Sequence, residues 1–268
     1  MLSSLAPARR RLVLVLLTLV AVLIAALLVV VVRARSSSEP TSPVAQDQPG
    51  PVLLVPGYGG STDALQVLAA RLRAEGRQAT VLALPGNGTG DLTAQARALG
   101  GAVDVALART GARSVDVVGY SAGGVVARIW ARDLGGAAQS RRIITLGSPH
   151  HGTTVAGLAA GLLPAQCPTA CQQLAPDSAL LGSLNSGDET PDGPLWVSLW
   201  TTADQLVTPP DSARLQGALD LTVQSVCAGS TVDHGGLPRD RVVGGMVAAE
   251  LAGPSTVVLT AADCARLS

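Results

Sequence analysis

The sequence predicts an α/β fold: a mostly parallel sheet with helices on both faces. Three observations predict it. Short β-branched apolar runs alternate with longer runs of helical spacing between residues 52 and 146, the pattern of a covered parallel sheet. Several of those runs end in glycine-rich turns, at 57–60, at 119–124 and at 147–153. The third is Val115-Asp116-Val117-Val118-Gly119-Tyr120-Ser121-Ala122-Gly123-Gly124, a strand running through a very sharp turn into an amphipathic run. In open parallel sheets ligands bind beyond the carboxyl ends of the strands, where all three turns fall.

The elements follow in order. Val52–Val55 is a buried-strand run, closed by Pro56-Gly57-Tyr58-Gly59-Gly60. Leu65, Leu68 and Leu72 mark a helix over 64–72, with Ser61 or Asp63 as its N-cap and Gly76 beyond its end. A second strand spans 79–84. A long helix spans 92–108, its pattern interrupted by Gly100-Gly101. After the strand at 115 come a helix over 125–134 and a strand over 143–146, which runs into Gly147-Ser148-Pro149-His150-His151-Gly152-Thr153. Strand signals then stop until Pro194. This Gly-, Pro- and Ser-rich segment, with helical pieces near 155–163 and 178–184, is the place for a small cap or a pocket-lining excursion. Strands over 195–200 and 219–226 and a helix over 240–251 complete the domain.

The N-terminus is separate in character. Arg9-Arg10-Arg11 precede an apolar run from Leu12 to Val32, and Arg33 and Arg35 end it. A helix of that length spans about 31 Å, close to the ~30 Å hydrocarbon core of a bilayer. It exceeds the usual apolar region of a signal peptide, and Ala34-Arg35-Ser36 is a poor cleavage site. Residues 1–35 are thus expected to be a transmembrane signal anchor, with a long cleavable signal peptide as the alternative. Residues 36–50, Pro- and Ser-rich, are expected to be a flexible linker. Residues 51–268 form the folded domain. It is expected at the cell membrane and outside the cytoplasm, or secreted if the segment is cleaved.

Composition narrows the partners. Formal net charge is zero, all 19 basic residues are arginine, and there is no basic tract of the kind that binds nucleic acid. Aromatic residues make up 2% of the chain and phenylalanine is absent, so an apolar pocket must be lined mainly by Leu, Val, Ile and Ala. Four cysteines allow three pairings. Cys167 with Cys171 would clip a tight loop in the insertion. Cys227 with Cys264 would staple the loop that carries His234. The chain-entropy model makes the longer bridge worth about 4 kcal/mol and the shorter about 2. Disulfides agree with an oxidising compartment. No third and fourth ligand accompany His150 and His151 at zinc spacing, so no metal is expected there. Asp177, Asp188, Glu189 and Asp192 share one loop-rich segment and read as a solvated acidic loop before a calcium site.

The chemistry centres on Ser121. A Gly-x-Ser-x-Gly turn lifts the hydroxyl off the sheet edge, and the helix after it aims unsatisfied N–H groups at the same spot. Serine needs a base, and the base needs an orienting carboxylate. His234 follows the final strand and Asp204 the strand before it. Asp211 and Asp233 compete for the acid's role. Asp233 adjoins His234, and sequence neighbours rarely reach Nδ1 in plane. Asp211 or Ser212 suits an N-cap.

These stretches together resemble the α/β-hydrolase superfamily, and within it bacterial exported lipases and esterases. The motifs run from about 51 to 251: Pro56-Gly57-Tyr58-Gly59, Gly119-Tyr120-Ser121-Ala122-Gly123, Thr145 to Thr153, Asp204-Gln205-Leu206-Val207-Thr208-Pro209, and Asp233-His234-Gly235-Gly236-Leu237. The resemblance implies an α/β-hydrolase fold and hydrolysis of carboxylic, lipid-type esters by Ser121, His234 and Asp204 through an acyl-enzyme. It implies an oxyanion hole from the Tyr58 and Ala122 amides, and no cofactor. Pro56 and Tyr120 depart from the family, where histidine is common at both places. Tyr120, His150 and His151 are expected to shape the substrate pocket. The protein is expected to act as a monomer. An envelope acyltransferase would use the same triad, and a non-enzymatic envelope binding protein would not need it.

Overall fold

Six apolar runs pair into one wholly parallel sheet. In the computed structural model the described residues are 18–20, 22–24 and 44–268. The strands are β1 (Val52–Val55), β2 (Ala79–Val81), β3 (Val115–Tyr120), β4 (Ser140–Leu146), β5 (Leu195–Trp200) and β6 (Leu219–Thr222). Their order is β2-β1-β3-β4-β5-β6, with every neighbouring pair parallel. The helices are α1 (Asp63–Ala74), α2 (Leu92–Thr110), α3 (Ala122–Asp133), α4 (Thr154–Leu162), α5 (Thr169–Gln173), α6 (Ala179–Leu184), α7 (Val223–Val226), α8 (Arg241–Ala252) and α9 (Cys264–Leu267).

Alternating side chains divide the core between the two sheet faces. Leu53, Val55, Val117 and Ile143 pack with Leu92, Leu99 and Val103 of α2 and with Val125, Ile129 and Trp130 of α3. Val52, Leu54, Val118, Ile144 and Leu146 pack with Leu65, Leu68 and Leu72 of α1 and with Val243, Met246 and Val247 of α8. Each such side chain, buried fully, contributes about 1.5–3 kcal/mol. A strand covered on both faces has no polar side to show, which is why β1 and β3 read as continuous apolar runs.

The boundaries differ from the sequence reading in several places, and the main ones have a local cause. Strand β2 ends at Val81, short of Leu84, because the chain turns away toward Pro85-Gly86. Strand β6 ends at Thr222, whose hydroxyl accepts from Ser225 N at 2.8 Å and so starts α7 where strand was expected. Helix α2 runs unbroken through Gly100-Gly101, and a Cβ on Gly100 would stand 3.3 Å from Trp130 Nε1 of α3. Small size there lets two helices approach. Helix α1 starts after Thr62, so neither Ser61 nor Asp63 is its N-cap. No α-helix starts at Asp211. A short 3₁₀ turn spans Pro210–Ala213, and Leu215 drops into the core before β6, so the N-cap role expected for Asp211 or Ser212 is not realised.

At the amino ends of the strands, Asp116 accepts from Arg141 Nε and Nη2, both at 2.8 Å, and from Arg77 Nη2. Arg141 also donates to Gln46 O at 3.1 Å and to Gly253 O at 3.0 Å. The segment expected to be a free linker to residue 50 is therefore docked on the domain from at least Gln46. The run Leu12–Val32 lies mostly outside the described residues. Residues 18–20 and 22–24 are helical. Among the described residues no helix is long and apolar enough to cross a membrane.

One carboxyl away from the site sets a pH dependence. Burial pushes Asp220 up to about 6, against the smaller opposing pull of the Leu215 amide and Arg214, and its Oδ1 is buried without a partner. Between its ordinary value of about 3.9 and about 6, the unfolded chain loses this proton while the folded one keeps it. Stability therefore falls as pH rises through that window and stays reduced above it. Asp220→Asn should melt higher than the parent at pH 8 and show little difference at pH 4. An equal shift at both pH values would assign the effect to packing instead.

Candidate active site

Strand β3 delivers Ser121 through a turn that only this local sequence permits. Ser121 has φ 54° and ψ −126°, and among the described residues it is the one non-glycine with positive φ. Such a conformation costs about 1–3 kcal/mol and needs surrounding structure to hold it. Its N–H donates to Leu146 O of β4 at 2.8 Å, and its carbonyl accepts from Gly124 N at 3.0 Å. A Cβ on Gly119 would stand 2.5 Å from Gly124 Cα, and one on Gly123 would stand 2.3 Å from Val55 O. Both clashes are with backbone, so glycine is required at each place. The Gly57–Tyr58 turn lies beside the serine: a Cβ on Gly57 would come within 2.9 Å of Ser121 Cβ. Ala122 begins α3, so its amide has no partner within the helix.

The other two groups arrive from later strand ends. His234 Nε2 is 2.9 Å from Ser121 Oγ, and its Nδ1 is 2.7 Å from Asp204 Oδ2. Asp204 is buried, and its Oδ1 accepts from Leu206 N at 2.9 Å and Val207 N at 2.8 Å. That leaves Oδ2 for the imidazole. Thr201 Oγ1 donates to Val232 O at 2.7 Å and ties the histidine's loop to the end of β5. Asp233 is turned away, its carboxylate accepting from Gly236 N at 2.8 Å. Gly147, at φ 53°, packs under the pair: a Cβ there would stand 3.2 Å from His234 Nδ1 and 3.3 Å from Asp204 Oδ2. The three side chains form one hydrogen-bonded line from carboxylate to hydroxyl.

A family model described as lipase (class 2) matches residues 93–225, a span that holds Ser121 and Asp204 and stops short of His234. Solved lipase structures share the fold. Aspergillus fumigatus lipase B is 18% identical over 78% of this chain, with a TM-score of 0.66, and the match spans 54% of that longer protein. Mature Bacillus licheniformis lipase BlEst2 is 22% identical over 74% of this chain and 91% of its own, with a TM-score of 0.58. A lipase-esterase related protein from Clostridium acetobutylicum is 13% identical over 78% of this chain and 96% of its own, with a TM-score of 0.52. A comparison with curated protein sequences found no match. The chain has the α/β-hydrolase fold of these lipases, and residues 93–225 match the lipase (class 2) family model.

Ser121 opens into a pocket of about 410 Å³. Gly57, Tyr58, Tyr120, Ser121 and His234 line its catalytic end, and Ala156, Ala159, Leu174, Val155, Leu206 and Val207 form most of the remaining wall. A wider recess of about 720 Å³ lies behind the His234 loop and touches neither Ser121 nor His234. Tyr120 closes one side of the pocket. Burial first, and then the Asp204 charge, push its phenol up to about 12, so it remains a hydrogen-bond donor.

His150 and His151 lie outside this pocket, contrary to the sequence reading. The loop sends Pro149 and Thr153 to the wall and folds the two histidines back. His150 is fully buried with Nε2 3.0 Å from Thr145 Oγ1. Burial, helped by Arg128 and His151, holds it well below the usual histidine range and so neutral. His151 Nε2 is 2.9 Å from Glu189 Oε1, which pins the loop to the insertion. Glu189 is thereby engaged, and Asp188 accepts from Thr190 N at 3.0 Å. Among the described residues no group of three or more His, Cys, Asp and Glu could hold a metal ion.

The four cysteines form two bridges. Cys167–Cys171 clips α5 to the turn before it, and Cys171 lines the pocket. Cys227–Cys264 joins the end of α7 to α9, just before the His234 loop. Sequence reasoning placed a cap or pocket-lining excursion in this segment without naming its wall residues, and it did not single out the two amides that hold Asp204. Signals for both exist. Thr154–Leu162 is a nine-residue helix without a charged side chain. An aspartate two and three residues ahead of amides in a tight turn is a common local hydrogen-bond pattern.

Proposed function

We propose that the protein hydrolyses carboxylic esters of lipid type through a Ser121–His234–Asp204 triad and an acyl-enzyme. The observation that carries this is the continuous line Asp204 Oδ2, His234, Ser121 Oγ, at 2.7 and 2.9 Å, ending in an apolar pocket. Ser121 Oγ attacks the ester carbonyl as His234 Nε2 takes its proton. The tetrahedral oxyanion accepts from the Tyr58 and Ala122 amides. His234 returns the proton to the leaving alcohol, and water repeats the sequence to release the acid. Asp204 holds the Nδ1–H tautomer that leaves Nε2 free to accept, and it stabilises the imidazolium.

A lipid-type substrate is supported by the rim. Tyr58, Val155, Leu158, Leu162, Leu163 and Leu206 all expose large apolar side chains, and three of them line the pocket itself. Clustered exposure of this kind marks a surface that meets apolar material. Two disulfides and the apolar run Leu12–Val32 support an exported domain held at the membrane.

A panel of p-nitrophenyl acetate, butyrate, octanoate and palmitate, with and without an added alcohol, tests the reading. Butyrate and octanoate should give the highest kcat/KM, because acetate leaves the α4 wall uncovered and palmitate exceeds a pocket near the small end of the usual range. Product should be free acid. No turnover on any ester would refute hydrolysis, and predominant transfer to the added alcohol would make the protein an acyltransferase.

A further inference from the structure

The residue before the nucleophile is joined to the base. Tyr120 is the last residue of β3, and its Oη donates to the backbone carbonyl of His234 at 3.1 Å. Its ring stands 5.2 Å from the imidazole, centroid to centroid, at an interplanar angle of 35°. The same His234 carbonyl accepts from Leu237 N at 3.3 Å within its own loop. Loop-internal bonds set the loop's shape, and Thr201 ties it to β5. The phenol instead ties it to the residue adjoining Ser121. Two groups on separate loops must meet at hydrogen-bond distance, and the tyrosine spans that gap.

We infer that Tyr120 is a positioning residue, which holds the His234 backbone so that Nε2 faces Ser121 Oγ. The assignment rests on the triad reading above. The ring shields the imidazole from water on one side. Within about 6 Å an aromatic face also attracts a cation, as the imidazolium becomes during the reaction. A phenylalanine at this place keeps the ring, the packing and the pocket wall, and loses only the tether.

Tyr120→Phe separates these contributions. On p-nitrophenyl butyrate, kcat should fall roughly tenfold with KM within about twofold, because a small misplacement of the base weakens chemistry and not substrate binding. The rate of fluorophosphonate labelling, which needs the same proton transfer and no leaving alcohol, should fall by the same factor. Tyr120→Leu, which also removes the ring, should fall at least as far. A Tyr120→Phe enzyme with kcat and labelling within twofold of the parent would overturn the inference. So would raised KM at unchanged kcat, which would make Tyr120 a substrate contact, or loss of the cooperative melting transition, which would make the phenol a fold contact. Failure of the parent protein itself to label or turn over would instead refute the triad reading.

Discussion

Ser121→Ala should lower kcat for ester hydrolysis by about 10⁶, the scale seen when a triad nucleophile is removed. The substitution deletes one oxygen from a turn held by neighbours that alanine does not disturb. The Ser121 N–H to Leu146 O bond, the Gly124 N–H to Ser121 O bond and the close packing of Gly119 and Gly123 all involve backbone. Alanine and serine share the same difficulty at φ 54°, so the strain is present in both. Melting temperature should stay within a few degrees, and the pocket should still bind ester, since the wall from α4 and Leu206 is untouched. The oxyanion donors survive, so a rate about 10³–10⁴ above water can persist. Activity within tenfold of the parent would place the nucleophile elsewhere.

Asp204→Asn should cost about 10⁴ in kcat. The reason is tautomeric. The introduced amide can keep its oxygen on the Leu206 and Val207 N–H groups, which then turns its NH₂ toward His234 Nδ1. Nδ1 must accept, the ring proton moves to Nε2, and Nε2 can no longer take the proton of Ser121. Shape is retained and the base is disabled. Asp211→Asn is the control. Asp211 is exposed in the short 3₁₀ turn, so its loss should change stability by under about 0.5 kcal/mol and leave kcat near normal. A dead Asp211→Asn beside a live Asp204→Asn would reverse the assignment of the acid.

The parts of this fold that were legible in the sequence are those with a local cause. Strand β3 and its turn can be read because the backbone contacts of Gly119 and Gly123 forbid any side chain, and two glycines flanking a serine after an apolar run are visible in one sequence. Strand β5 can be read because Leu195–Trp200 is an apolar run, buried almost throughout. The parallel sheet follows from the alternation of strand and helix. What could not be read depends on contacts distant in sequence. Thr222 looks like a strand residue until its hydroxyl caps α7. The interruption of the helical pattern at Gly100 is where Trp130 of another helix packs. His150 and His151 sit in a motif that borders the site, yet the turn at Gly152 sends them away from it, into contact with Thr145 and Glu189. The insertion was recognisable as a cap or pocket-lining excursion, but which of its residues form the wall depends on how α4 lies against the loop at Leu206.

The central claim is that Ser121 is a nucleophile activated by His234. Its most direct test is covalent. The purified domain is treated with a fluorophosphonate, digested and analysed by mass spectrometry, in parallel with Ser121→Ala. The account predicts one adduct, on the peptide that holds Gly119-Tyr120-Ser121-Ala122-Gly123, with stoichiometry near one, blocked by a competing ester and absent from Ser121→Ala. An unlabelled parent protein, or an adduct on a different serine that persists in Ser121→Ala, would contradict it.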